Sequence, residues 1–176
     1  KWYAFYHTAN YSGHGTLRSV CVDPVNINPD GSIETVRNWG VAKGGKSPVL
    51  SSAGLTFKGS DFNDGGYHYA WFTRDRQAPS VMNGGVKGLE TGEWLRWSFK
   101  AETAGTGTAE CVLSSSDGAR VIVSVNGEYP ETSGHQVPSS GKLKIEGLKV
   151  PMGECYLELR VLAGSVDVSS VDVVLE

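Results

Sequence analysis

Sustained apolarity is what this chain has least of. No stretch of its 176 residues approaches the roughly 18–20 consecutive apolar positions of a membrane helix, and no membrane partner is expected. Positive charge is also short: 16 Lys and Arg stand against 19 Asp and Glu, a net charge of −3, with no basic field for a nucleic acid. Only two methionines and three cysteines occur. Cys21, Cys111 and Cys155 allow at most one internal disulfide with one thiol left over, and do not settle the redox compartment. The opening Lys1-Trp2-Tyr3-Ala4-Phe5-Tyr6-His7 has neither the charged and apolar regions nor the cleavage site of a signal peptide. It reads as strand, and we expect the chain to be the C-terminal part of a longer polypeptide.

Glycine is what the chain has in excess, 23 residues or about 13% against a usual ~7%. Apolar residues alternate in short runs, the two-residue period of half-buried strands. Leu95, Trp97 and Phe99 share one face, as do Val121, Val123 and Val125, and again Leu157, Leu159 and Val161. Between the runs lie Asp30-Gly31, Asp64-Gly65, Asn83-Gly84, Asp117-Gly118 and Asn126-Gly127, residue pairs that accept the positive φ of tight turns. Only Ser32–Trp39 could carry a helical turn. Gly40-Val-Ala-Lys-Gly-Gly-Lys-Ser-Pro48 has little to pack with and marks a seam. Upstream, strands at Trp2–His7 and Leu17–Asp23 are too little for a core of their own. Downstream, eight or nine strands are expected, enough for a two-sheet sandwich. The expected division is therefore 1–39, a linker at 40–47, and a sandwich over 48–176.

Motifs for covalent or metal chemistry are weak. His7, His14, His68 and His135 are scattered without ligand spacing. Gly40 with Gly45-Lys46-Ser47 matches a phosphate-loop string, but Pro48-Val49-Leu50 argues against the helix N-terminus that string needs. Glu90, Glu93, Glu110 and Glu154 read as solvated strand positions, and no catalytic role is assigned to them. Aromatics carry more. In Tyr67-His68-Tyr69-Ala70-Trp71-Phe72 a strand would put Tyr67, Tyr69 and Trp71 on one side. That row is either core or a stacking surface for the apolar faces of sugar rings. Trp94 and Trp97 fall on opposite faces, with Trp97 inside. Cys111 and Cys155 are in phase with inward residues, either bridged or packed as buried thiols.

Two segments resemble known families. Residues 2–36, with Tyr6-His7, Ser12-Gly13, Arg18-Ser19-Val20-Cys21-Val22-Asp23 and Asn28-Pro29-Asp30-Gly31-Ser32-Ile33, resemble the end of the catalytic domain of glycoside hydrolase family 43. The resemblance implies the last strands of a five-bladed β-propeller, with Arg18 holding sugar in the parent's active site and His7 approaching the propeller axis. The family's catalytic carboxylates come from earlier blades, so this chain alone is not expected to hydrolyse anything. From about Asn83 to Val174 the chain resembles carbohydrate-binding module family 6, whose signature Gly-Asp-Trp-Ile-Glu-Tyr stands here as Gly92-Glu93-Trp94-Leu95-Arg96-Trp97.

The second resemblance implies an all-β jelly-roll sandwich binding polysaccharide or oligosaccharide, and the first implies a periplasmic or extracellular parent enzyme that cleaves arabinose- or xylose-containing glycans by inversion. The chain departs from the family pattern in several places. The loop-top aromatic aligns with Gly88, the second stacking Trp has no counterpart in Ser133–Lys142, and the sugar-binding Asn appears as Asp167. Calcium is the one cofactor the family suggests, a structural ion, and the Glu that holds it there is not recognisable here. With the usual cleft in question, the carbohydrate-binding residues expected are Tyr67, Tyr69, Trp71 and Asp167. The alternatives are a structural module that packs on the propeller without binding glycan, and an independent lectin-like domain.

Overall fold

The computed structural model describes residues 2–8, 19–25, 27–33, 47–66, 79–115 and 118–176. Its strands are β1 (Trp2–Thr8), β2 (Ser19–Val25), β3 (Val49–Leu50), β4 (Leu55–Lys58), β5 (Asp64–Gly66), β6 (Ser80–Met82), β7 (Gly85–Glu90), β8 (Trp94–Ala101), β9 (Gly105–Ser115), β10 (Arg120–Val125), β11 (His135–Gln136), β12 (Lys142–Val150), β13 (Gly153–Ala163) and β14 (Ser165–Leu175). A 3-10 turn, Gly59–Asp61, follows β4. No helix among the described residues is long and apolar enough to cross a membrane.

β1 and β2 pair antiparallel as a sheet of two strands, from Trp2 opposite Val25 to Thr8 opposite Ser19. After them Asp30-Gly31 makes the expected turn, with Gly31 at φ 84°. The Asp30 carboxylate accepts the Ser32 hydroxyl at 2.7 Å and its amide at 2.9 Å, and these bonds hold its pKa below the usual carboxylate range.

The other strands build two facing sheets. The first runs β11-β10-β13-β8-β3, with β5 also on β8. The second runs β12-β9-β14-β7-β6, with β4 also on β14. Every ladder is antiparallel except the two-residue pairing of β3 with β8. The all-β two-sheet sandwich read from the alternation is what the residues form. Leu95, Trp97, Val123 and Leu157 are all buried in the common core, as period-two burial requires. Phe57 of β4 meets Trp97 and Phe99 of β8 across the sheets at ring centroid distances of 6.4 and 6.3 Å. The Trp97 indole N–H, deep in that core, donates to the Lys58 carbonyl at 3.2 Å.

Strand number and phase depart from expectation. Among the described residues twelve strands lie between Val49 and Leu175 rather than eight or nine, because several are only two or three residues long. Asp64-Gly65 is no turn: it lies in β5, with Asp64 opposite Arg96 and Gly65 opposite Leu95. Among the described residues four ladders carry register shifts, between Arg120 and Val121 in β10 against β13, between Ile145 and Leu148 in β12 against β9, between Val166 and Val168 in β14 against β7, and between Val168 and Ser170 in β14 against β9. An extra residue at such a bulge resets the alternation, so Val168 and Val171, three apart, both point inward. Asn83-Gly84 and Asn126-Gly127 form the expected tight turns, with φ of 52° and 80° at the first pair and 52° and 81° at the second. The Ser32–Trp39 turn, the Asp117-Gly118 turn and most of the 40–47 linker fall wholly or partly outside the described residues.

Candidate functional site

Antiparallel register decides which side chains meet on the outer face of the first sheet. Four strands lie side by side there, β5, β8, β13 and β10, and their pairing aligns residues in rows. One row holds Gly66, Trp94, Arg160 and Ile122. The next holds Asp64, Arg96, Glu158 and Ser124. In the third, Ser98 stands opposite Tyr156, the Ser98 amide donates to Asn63 Oδ1 at 2.6 Å, and the Tyr156 amide to Asn126 Oδ1 at 2.9 Å.

The centre of this face is charged. Glu158 is almost wholly buried, its side chain 3% exposed. One carboxylate oxygen accepts Arg96 Nε at 2.8 Å, and the other accepts Arg160 Nε at 3.0 Å and forms an ion pair with Nη2 at 2.9 Å. Asp64 faces Arg96 from the other side at 3.6 Å. The Arg96 guanidinium also lies 4.2 Å from the Trp94 ring centroid and 4.6 Å from that of Tyr156, both within cation–π range. Arg160 reaches to 5.7 Å from Trp94. Trp94 and Tyr156 are half-buried, so each ring keeps part of its surface in water. Gly66 makes room for this: a Cβ there would sit 2.1 Å from Trp94 Nε1, so the indole lies over β5 only because no side chain stands in the way.

Glu93 corrects the reading of a solvated strand position. It is fully buried, and its carboxylate accepts the Glu90 amide at 2.8 Å, closing the Thr91-Gly92 turn that leads into β8. Turn amides turned away from water need an acceptor, and the side chain three residues on supplies it.

Of the site residues expected from sequence, His7 and Asp167 are among the described residues. His7 lies exposed in β1, opposite Val20 of β2. Arg18, Tyr67, Tyr69 and Trp71 fall outside the described residues. Asp167 is on β14 in the second sheet, where one carboxylate oxygen accepts the Gly88 amide at 2.8 Å and the other the Ser114 hydroxyl at 3.3 Å. Cys111 and Cys155 are both free and buried, on β9 and β13 of opposite sheets. No group of three or more His, Cys, Asp or Glu among the described residues could hold a metal ion. Sequence reasoning did not find Arg96, Tyr156, Glu158 or Arg160 as a group. The available signal was the alternation Tyr156, Glu158, Arg160 between buried Leu157 and Leu159, which puts three polar side chains on one outer face.

Solved structures share this architecture. A family 6 carbohydrate-binding module whose binding subsites were dissected by crystallography and calorimetry aligns over all of its own length and 74% of this chain, at 15% identity and a TM-score of 0.53. The chain shares the β-sandwich fold of that module. A glycoside hydrolase family 43 arabinoxylan arabinofuranohydrolase from Bacillus subtilis, solved with cellotetraose, aligns with all of this chain at 17% identity and a TM-score of 0.55, the match spanning 39% of the enzyme. A family 115 4-O-methyl-α-glucuronidase with specificity for decorated arabinogalactans matches 69% of this chain over 17% of its own, at 14% identity and a TM-score of 0.52. No family model and no curated protein matches the sequence.

Proposed function

We propose that the chain is the noncatalytic C-terminal portion of a secreted enzyme resembling glycoside hydrolase family 43, acting on arabinose- or xylose-containing polysaccharide, and that its sandwich binds carbohydrate. The observation that carries the proposal is the outer face of the first sheet. There, two half-buried aromatic rings flank a guanidinium, with carboxylates beside them. Sugar rings have apolar C–H faces and polar rims, and a platform of Trp94 and Tyr156 edged by Arg96, Arg160 and Asp64 offers both kinds of contact. Tyr67, Tyr69 and Trp71, which lie outside the described residues, are proposed as further carbohydrate-binding residues. Asp167, its carboxylate already bonded on the other sheet, is left out of the platform.

Parentage is supported by the alignment of the whole chain, hairpin included, with the Bacillus subtilis enzyme. In this reading residues 1–39 close the parent's propeller, with Arg18 and His7 serving its sugar site, 40–47 link, and 48–176 form the module. The parent's remaining blades are its partner. One observation favours the second reading, a module that only props the propeller: Arg96, Arg160, Glu158 and Asp64 already satisfy one another.

Titration calorimetry and affinity electrophoresis of the whole chain against arabinoxylan, xylan and arabinan separate the two. Carbohydrate binding predicts retardation by at least one glycan, and loss of about tenfold or more in affinity for Trp94→Ala with the melting temperature little changed. Retardation by none of the three glycans moves the case to the structural module.

A further inference from the structure

The least exposed charged group on the platform is the one that touches both guanidiniums. We propose that Glu158 is the positioning residue of the site: it never meets the ligand, but sets the place of both arginines and, through Arg96, of the two aromatic rings. This rests on the platform being the glycan site. Glu158 sits in the middle of its strand, opposite Arg96 on one side and Ser124 on the other, with its side chain 3% exposed. Its two oxygens divide the work, Oε2 to Arg96 Nε at 2.8 Å and Oε1 to Arg160 Nε and Nη2 at 3.0 and 2.9 Å.

Among the described residues Arg96 is the one side chain that is both held by Glu158 and within 5 Å of the two ring centroids. Long arginine side chains on a half-exposed sheet lose rotamer freedom only when something fixes the head group. Asp64 lies farther from Arg96, at 3.6 Å from Nη1 against the 2.8 Å of Glu158 to Nε. Ser124, buried and without a hydrogen-bond partner, provides no competing anchor. A ligand meeting rings that are already in place avoids the entropic cost of ordering them, which is how a residue without ligand contact raises affinity.

The test uses the whole chain and two readouts. The first needs no glycan: Nε–Hε proton resonances of Arg96 and Arg160 in ¹⁵N-labelled protein. In the native chain both are expected as resolved, slowly exchanging signals. Glu158→Gln keeps the shape and one acceptor but removes the charge, and is expected to broaden or lose both signals while the backbone spectrum keeps its dispersion. The second readout is calorimetry against the glycan the native chain binds best, where Glu158→Gln is expected to lower affinity about tenfold. Both arginine signals persisting in Glu158→Gln overturns the inference.

Arg160→Gln carries the test if Glu158→Gln does not fold. It leaves the Glu158–Arg96 bond in place, so the Arg96 signal is expected to persist, and its disappearance overturns the inference. If the native chain binds no glycan, the platform reading has failed, and the arginine signals alone still decide whether Glu158 positions Arg96.

Discussion

Cys111 shows how much burial does to a single group. Its thiol lies wholly inside the core on β9, and desolvation, with smaller contributions from the nearby Asp172 and Glu110 carboxylates, pushes its pKa from 9.0 to about 12. The thiolate is the nucleophile, so a thiol that stays protonated and out of reach is inert. Cys155 is buried as well, its pKa also raised chiefly by desolvation, and its Sγ–H donates to the Pro151 carbonyl at 3.3 Å. Both are expected to resist Ellman's reagent at pH 8 in the native chain and to react on addition of denaturant. Rapid native labelling at either position, located by peptide mass mapping, would contradict this. The same shift has a sign for stability. The unfolded chain ionises Cys111 near 9.0 and the folded chain near 12, so the folded state holds the proton longer. Its contribution is complete below pH 9 and declines as pH rises from 9 towards 12. Denaturation midpoints that fall over that range in the native chain and fall less in Cys111→Ala are the expected outcome.

Among elements, the β10–β13 connection depends on one turn. Asn126 holds φ 52°, its amide donates to the Tyr156 carbonyl at 3.0 Å, and its side-chain oxygen accepts the Tyr156 amide at 2.9 Å. Asparagine tolerates this left-handed conformation better than other residues with a Cβ, and here the side chain also completes the ladder. Asn126→Ala loses both advantages and is expected to destabilise by about 1–3 kcal/mol. In a domain of this size that lowers the melting temperature by roughly 2–12 °C, readable by calorimetry. Asn126→Gly should recover part of the loss by removing the conformational strain alone. Edge strand β12 shows a second device: Lys142, Lys144 and Lys149 line it, and a bulge near Gly147 at φ 78° breaks its flat hydrogen-bonding edge.

For the whole molecule, the position of the core predicts how it unfolds. The buried cluster begins at Leu50 and ends at Val173, drawing on both sheets. A fragment covering 47–176 is therefore expected to fold and to unfold in one cooperative transition in guanidinium chloride, with tryptophan fluorescence and far-ultraviolet circular dichroism coincident. Separate transitions for the two probes would show that the sheets do not share one core. The hairpin of β1 and β2 is built differently. Trp2, Phe5 and Val20 are 68%, 74% and 76% exposed, far more than a two-stranded sheet can leave in water and contribute to stability of its own.

Much of this was legible from residue order. Alternation at Leu95, Trp97 and Phe99, and at Val121, Val123 and Val125, reported strands with a buried face, because a side chain's direction in a strand depends only on its neighbours' geometry. Asn83-Gly84 and Asn126-Gly127 reported turns for the same local reason. Where a choice depended on a distant segment, local reading failed. Asp64-Gly65 has turn composition, yet pairing with Arg96 and Leu95 draws it into β5. Glu93 reads as solvated in sequence and is buried with a turn amide on its carboxylate, and Glu158, not singled out there, is buried where two arginines meet it in space.

The sequence by itself determined that this chain is a two-sheet β protein and which faces of its long strands turn inward, since both follow from period and turn chemistry within a few residues. Only the tertiary structure decided which outer face carries a site. Trp94 and Arg96 are separated from Tyr156, Glu158 and Arg160 by some sixty residues of chain, and it is the register of β8 against β13, set by the packing of their buried sides, that lays these groups side by side.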